Sequence, residues 1–124
     1  MTAAEVCQRL CDALNARDWT AAAAFLDART VVQDHREMPF EGDGARMLRI
    51  WRSTFDAVST GRADFEVLDA TPGRALVRTS FGDEQGQLVV HCIVDVADDR
   101  ITRFEAFGRD SAGEADARAA FSAR

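Results

Sequence analysis

From Asp64 to Phe107 the chain reads as four strands in a row, and that run limits what the rest can fold into. Asp64 to Ala70 is the first strand, and Thr71-Pro72-Gly73 is a turn by composition. Ala75 to Phe81 follows, closed by the loop Gly82-Asp83-Glu84-Gln85-Gly86. Gln87 to Val96 is a long strand, Ala97-Asp98-Asp99-Arg100 a tight connection, and Ile101 to Phe107 ends the set. A meander of this kind makes an antiparallel sheet whose apolar face must be covered by something else in the chain.

The cover lies upstream. Thr2-Ala3-Ala4-Glu5 is a capping box, and Val6, Leu10, Ala13 and Leu14 recur at helical spacing to about Ala16. Asp18 caps a second short helix through Trp19 to Phe25-Leu26. A strand over about Arg29 to Arg36 comes next, then a loop, Met38 to Gly44. Asp43 caps a third helix, Ala45 to Val58, with an apolar face of Met47, Leu48, Ile50, Trp51, Phe55 and Val58. Ser111-x-x-Glu114 is a second capping box, opening an alanine-rich tail helix that ends near Phe121. Helices grouped before a meander predict an α+β fold. Helices pack on the concave face of a curved antiparallel sheet, a cone-shaped barrel with room for a ligand.

The 124 residues suit one domain, 1–124, and 47% apolar content rules out a disordered chain. A net charge of −6 argues against nucleic acid as a partner, and no apolar run approaches the ~20 residues of a membrane span. No secretory signal is visible, so a cytoplasmic location is expected. Cys7, Cys11 and Cys92 have neither disulfide nor metal spacing and read as small buried hydrophobes. No metal and no cofactor are expected.

Chemistry concentrates in Val31-Val32-Gln33-Asp34-His35-Arg36-Glu37. Strand alternation puts Val32 and Asp34 on one face and Val31, Gln33 and His35 on the other. If Asp34 faces the cavity it is a candidate base, and burial among apolar groups would raise its pKa. If it is a structural acid, its carboxylate accepts hydrogen bonds from backbone amides or from an arginine such as Arg36.

The element order and several motifs resemble the nuclear transport factor 2-like superfamily, in its SnoaL-like and ketosteroid-isomerase-like branches. The matching stretches are Ala13-Leu14-Asn15-Ala16-Arg17-Asp18, Val31-Val32-Gln33-Asp34, Glu41-Gly42-Asp43-Gly44-Ala45, and Asp99 to Gly108. The resemblance implies that Asp34 is a general base moving a proton beside a carbonyl. It places the tyrosine of the isomerase oxyanion hole at Leu10, and the chain has no tyrosine. The late-strand acid falls at Cys92 or His91. The related epoxide hydrolases put a water-activating acid at Glu105, with Arg103 on its face of the strand, and their arginine and second acid at about Thr79 and Phe81.

The expected site is therefore Asp34 with Glu105, His91 and Arg103, in a pocket of Leu10, Leu14, Trp51, Phe55, Cys92 and Phe107. Three functions stay open. The first is a cofactor-independent isomerase or cyclase on a small hydrophobic, carbonyl-bearing substrate. The second is a non-catalytic small-molecule-binding or regulatory module. The third is an interaction domain whose cavity is filled; epoxide hydrolase-like water activation is a further enzymatic variant. The resemblance also implies a homodimer through the outer sheet face.

Overall fold

A six-stranded sheet organises the computed structural model, which describes residues 1–36, 40–108 and 110–124, the side chain of Phe40 excepted. The strands are β1 (Val31–Asp34), β2 (Phe40–Gly42), β3 (Arg62–Thr71), β4 (Arg74–Asp83), β5 (Gly86–Ala97) and β6 (Arg100–Ala106). Their order across the sheet is β2-β1-β6-β5-β4-β3. The sheet is curved and open, and the helices α1 (Ala3–Asn15), α2 (Trp19–Ala23), α3 (Gly44–Ala57) and α4 (Ser111–Ala123) pack against it.

Two expectations change here. The sheet is mixed rather than purely antiparallel, because β1 lies parallel to β6, with Asp34 beside Ala106. The expected loop also holds a strand: Phe40–Gly42 pairs antiparallel with β1. Glu37, Met38 and Pro39 of that stretch lie outside the described residues.

Local signals explain the helices. The Thr2–Glu5 capping box forms, and Val6, Leu10, Ala13 and Leu14 are all buried. Asp18 accepts from the Ala21 amide at 3.0 Å, and Asp43 from the Arg46 amide at 2.9 Å, so both caps act where expected. The tail helix starts differently. Its cap is Asp110, which accepts from the Gly113 amide at 2.8 Å, and Ser111 is already helical.

The stretch ending α1 is a fastener. The Asn15 side chain donates to the Ala63 carbonyl at 2.9 Å and accepts from the Ala63 amide at 2.7 Å, extending the edge of β3 as another strand would. Arg17 turns the chain with φ 53°. Its guanidinium donates to the carbonyls of Val58, Ser59 and Gly61 and sits 4.9 Å from the Phe55 ring centroid. Asp98 and Asp99 have φ of 52° and 62°, the paired positive values that two-residue hairpins of the I′ kind require.

The sheet buries both faces. On the inner face α1, α2 and α3 cover Val32, Ala63, Phe65, Val77, Val90, Cys92, Val94, Phe104 and Ala106. On the outer face α4 covers Leu76, Ile93 and Phe107 through Ala117, with Leu68, Ala120 and Phe121 alongside. The placing of every helix on the concave side thus holds for the first three and not for α4. Gly113 permits the close approach of α4, since a Cβ there would sit 2.1 Å from the Gly108 carbonyl oxygen. Among the described residues no helix is long and apolar enough to cross a membrane.

Candidate active site

The inner face and α3 enclose a cavity of ≈ 240 Å³. Apolar side chains make most of its wall: Leu14 from α1, Met47, Trp51 and Phe55 from α3, Phe65 and Phe81 from β3 and β4, Val90 and Cys92 from β5, and Phe104 from β6. Trp51 meets Phe104 edge-on at 5.6 Å between centroids. Ile50 and Leu88, also in the wall, are 42% and 41% exposed.

Asp34 is the one carboxylate in this wall among the described residues, and it is 4% exposed. The parallel pairing with β6 sets it at the last position of β1, after Val32 on the same inward face. Arg36, two residues on, also lines the cavity and clamps it. Its Nε donates to Oδ1 at 2.9 Å and Oδ2 at 3.0 Å, and Nη2 donates to Oδ2 at 2.6 Å. The Arg36 amide adds a bond to Oδ1 at 3.0 Å.

This clamp reverses one expectation. Burial is the largest single influence on the Asp34 pKa and pushes it up, as the sequence implies. The hydrogen bonds from the Arg36 side chain and amide, together with its charge, outweigh burial and hold the carboxyl below the ordinary 3.8. Asp34 is therefore ionised throughout the neutral range. The Cys92 thiol goes the other way: burial pushes it up to about 12, so it is protonated. Cys7 is raised to about 12 for the same reason.

The other expected site residues divide cleanly by face. Leu14, Trp51, Phe55 and Cys92 line the cavity with Asp34. Leu10 is fully buried beneath it, in the core rather than the wall. Cys92, not His91, faces inward. His91 points outward, its Nε2 3.2 Å from Glu114 Oε1 on α4 and its Nδ1 3.3 Å from the Gly108 carbonyl. Arg103, Glu105 and Phe107 also face outward. Phe107 stacks on His35 at 4.9 Å and packs under α4.

Glu105, 1% exposed, accepts from Arg124 at 2.8 and 3.0 Å, with Arg103 at 3.6 Å and His35 at 3.5 Å. Burial pushes its pKa up most, but these partners, Arg124 foremost, bring it below 4.5. Glu105, His91 and Arg103 thus do not join Asp34. Glu105 and His91 are buried and Arg103 is half-buried, in ionic and polar contacts on the other side of the sheet.

The cause is a bulge. Val96 pairs with Ile101 but Asp95 pairs with Arg103, leaving Thr102 extra on β6. Ile101 faces the inner core, and unbroken alternation would have sent Arg103 and Glu105 there too. One extra residue inverts every position after it. At the positions where an epoxide hydrolase-like triad would need an arginine and an acid, Thr79 and Phe81 line the cavity. Arg36 is the site residue that sequence reasoning used only as a partner for a structural Asp34. Its signal was the two-residue spacing, which keeps it on the face of Asp34.

An α+β cone with a mainly apolar cavity and, among the described residues, one inward carboxylate defines the class by its fold. The chain belongs to the SnoaL-like domain family, whose model matches residues 7–104. Among solved structures, a provisionally named ketosteroid isomerase from Kribbella flavida is 20% identical, with TM-score 0.68 over 86% of this chain and 77% of its own. A provisionally named polyketide cyclase from Sinorhizobium meliloti is 23% identical, with TM-score 0.61 over 82% and 93%. An LEH-like epoxide hydrolase from M. tuberculosis is 16% identical, with TM-score 0.64 over 91% and 86%. At these identities the likeness is one of fold. A search of the curated proteins finds no match.

Proposed function

We propose that this protein is a cofactor-independent isomerase or cyclase acting on a small hydrophobic molecule with a carbonyl group, with Asp34 as the general base. The observation that carries the reading is the placement of Asp34: an ionised carboxylate, 4% exposed, in the wall of an otherwise mainly apolar cavity. Such a wall sets few polar groups against a carbanion or enolate, and among the described residues it leaves proton acceptance to its one carboxylate. The names of the structural neighbours, an isomerase and a polyketide cyclase, fit the same chemistry. The volume of ≈ 240 Å³ suits a one- or two-ring substrate.

The test needs no known substrate. Small cyclic enones and 1,3-diketones are incubated with the protein in deuterated buffer, and exchange beside the carbonyl is followed by NMR. Wild type exchanges at least one of them above buffer, and Asp34→Asn loses ~10²–10⁴-fold of that rate. Equal rates in the two proteins would remove Asp34 as the base.

A second reading has its own support. The bidentate Arg36 clamp lowers the basicity of Asp34, as a purely structural carboxylate would be held, and favours a binding module without turnover. Ligand uptake with no exchange on any carbon acid would select it. For assembly, we propose a homodimer in a location from which solvent is not excluded by α4: the outer face of β1, where Val31 is 46% exposed. A cytoplasmic setting goes with this reading.

A further inference from the structure

Resting on the reading of Asp34 as base, we propose that Arg36 is the group that binds the oxygen on which negative charge develops, replacing the oxyanion donors this chain lacks. The lack is concrete. Leu10 sits in the core where a tyrosine would be needed, and the chain has no tyrosine. The inward residue of the late strand is Cys92, a weak donor. Two hydroxyls of the wall serve backbone carbonyls: Thr54 donates to Ile50 at 2.9 Å, and Thr79 donates to Val90 at 2.9 Å. Ser80 and Trp51 of the wall are neutral donors, and Arg36 is its one cation among the described residues. It grips Asp34 side-on through Nε and Nη2, and its Nη1 makes no hydrogen bond to a described residue. The guanidinium is planar, so the direction of that remaining donor is set by the clamp itself.

The chemistry balances. An Asp34 oxygen takes the proton from the carbon beside the carbonyl. The C–H electron pair becomes a C=C bond, and the carbonyl π pair moves onto oxygen. The enolate oxygen accepts from Arg36 as Asp34 becomes neutral. Returning the proton from Asp34 to a different carbon completes an isomerisation; in a cyclisation the enolate carbon attacks a second carbonyl, whose π pair moves onto its oxygen, and that oxygen takes the proton back from Asp34. Throughout, one negative charge faces one guanidinium, first on Asp34 and then on the substrate. The site stays neutral overall, so charge separation in an apolar cavity is avoided. The clamp that weakens Asp34 as a base stabilises the product of its action.

The experiment is a pH titration of 4-nitrophenol with the protein, read by the colour of its phenolate, an oxyanion of similar shape. Asp34→Asn mimics the protonated base and leaves Arg36 in place. Asp34→Asn/Arg36→Met removes the cation without stranding a buried carboxylate, so that folding is preserved. Asp34→Asn should bind the phenolate about tenfold to a hundredfold tighter than the phenol, as a charge-assisted hydrogen bond implies. The double variant should lose that preference. Absence of phenolate preference in Asp34→Asn, whether or not neutral phenol binds, overturns the assignment, and so does an equal preference in the double variant. Loss of deuterium exchange in Asp34→Asn alongside such a failure would leave Asp34 as base and remove only Arg36.

Discussion

At Asp34 and Arg36, two residues hold opposite charges under a mainly apolar wall, and their consequences can be read separately. Asp34→Asn keeps the volume of the side chain but takes from Arg36 its bidentate partner. Stability should fall by roughly 1–3 kcal/mol, toward the lower end because the Arg36 side chain is 37% exposed and can rehydrate. A thermal melt checks this. A melting temperature unchanged or raised would mean that the clamp contributes nothing in solution. Activity has a matching signature. The Asp34 pKa is depressed, so the base stays ionised down to its folded value, and the acid limb of the rate profile lies below the ordinary 3.8. Replacing Arg36 with Met removes the guanidinium's hydrogen bonds and charge, keeps the bond from the residue-36 amide, and moves that limb upward.

Among the elements, the fastener at the end of α1 holds the β3 edge of the cavity, and α4 covers the back of the sheet. Asn15 bonds both the amide and the carbonyl of Ala63, whose side chain lines the cavity. Asn15→Ala should cost roughly 1–3 kcal/mol, seen as a lower denaturation midpoint. Glu105→Gln should destabilise by a similar amount at neutral pH, because Arg124 and Arg103 lose a buried carboxylate. The elements also show where the sequence was readable. Capping residues and helical spacing placed α1, α2 and α3, and strand alternation put Asp34 and Val32 on one shared face. The β4–β5 and β5–β6 hairpins followed from their turn residues. What could not be read was phase across the Thr102 bulge, which moved Glu105 and Arg103 to the outer face. Nor did alternation show that the outer face would be covered by α4, or that β1 would run parallel to β6, since both depend on tertiary packing.

For the whole molecule, the buried carboxylates fix the response to acid. The Asp34 and Glu105 values are both depressed in the fold. Each therefore contributes stability that is complete above its ordinary value, 3.8 and 4.5, and is lost as pH falls through the lower folded value. Melting temperature should hold from neutral pH to about 5 and drop below it. The drop should be shallower in Asp34→Asn/Glu105→Gln. Sedimentation at tens of micromolar should show a dimer that Val31→Glu dissociates; a monomer in wild type would remove the proposed interface. The central claim is that the cavity carries proton transfer through Asp34, and one measurement addresses it most directly: deuterium exchange into a carbonyl compound, followed across pH in wild type and Asp34→Asn together. Wild type should exchange above buffer with a flat rate through neutral pH and an acid limb below 3.8, and Asp34→Asn should stay at the buffer rate at every pH. Exchange that survives in Asp34→Asn, or a panel that wild type leaves untouched, would contradict it.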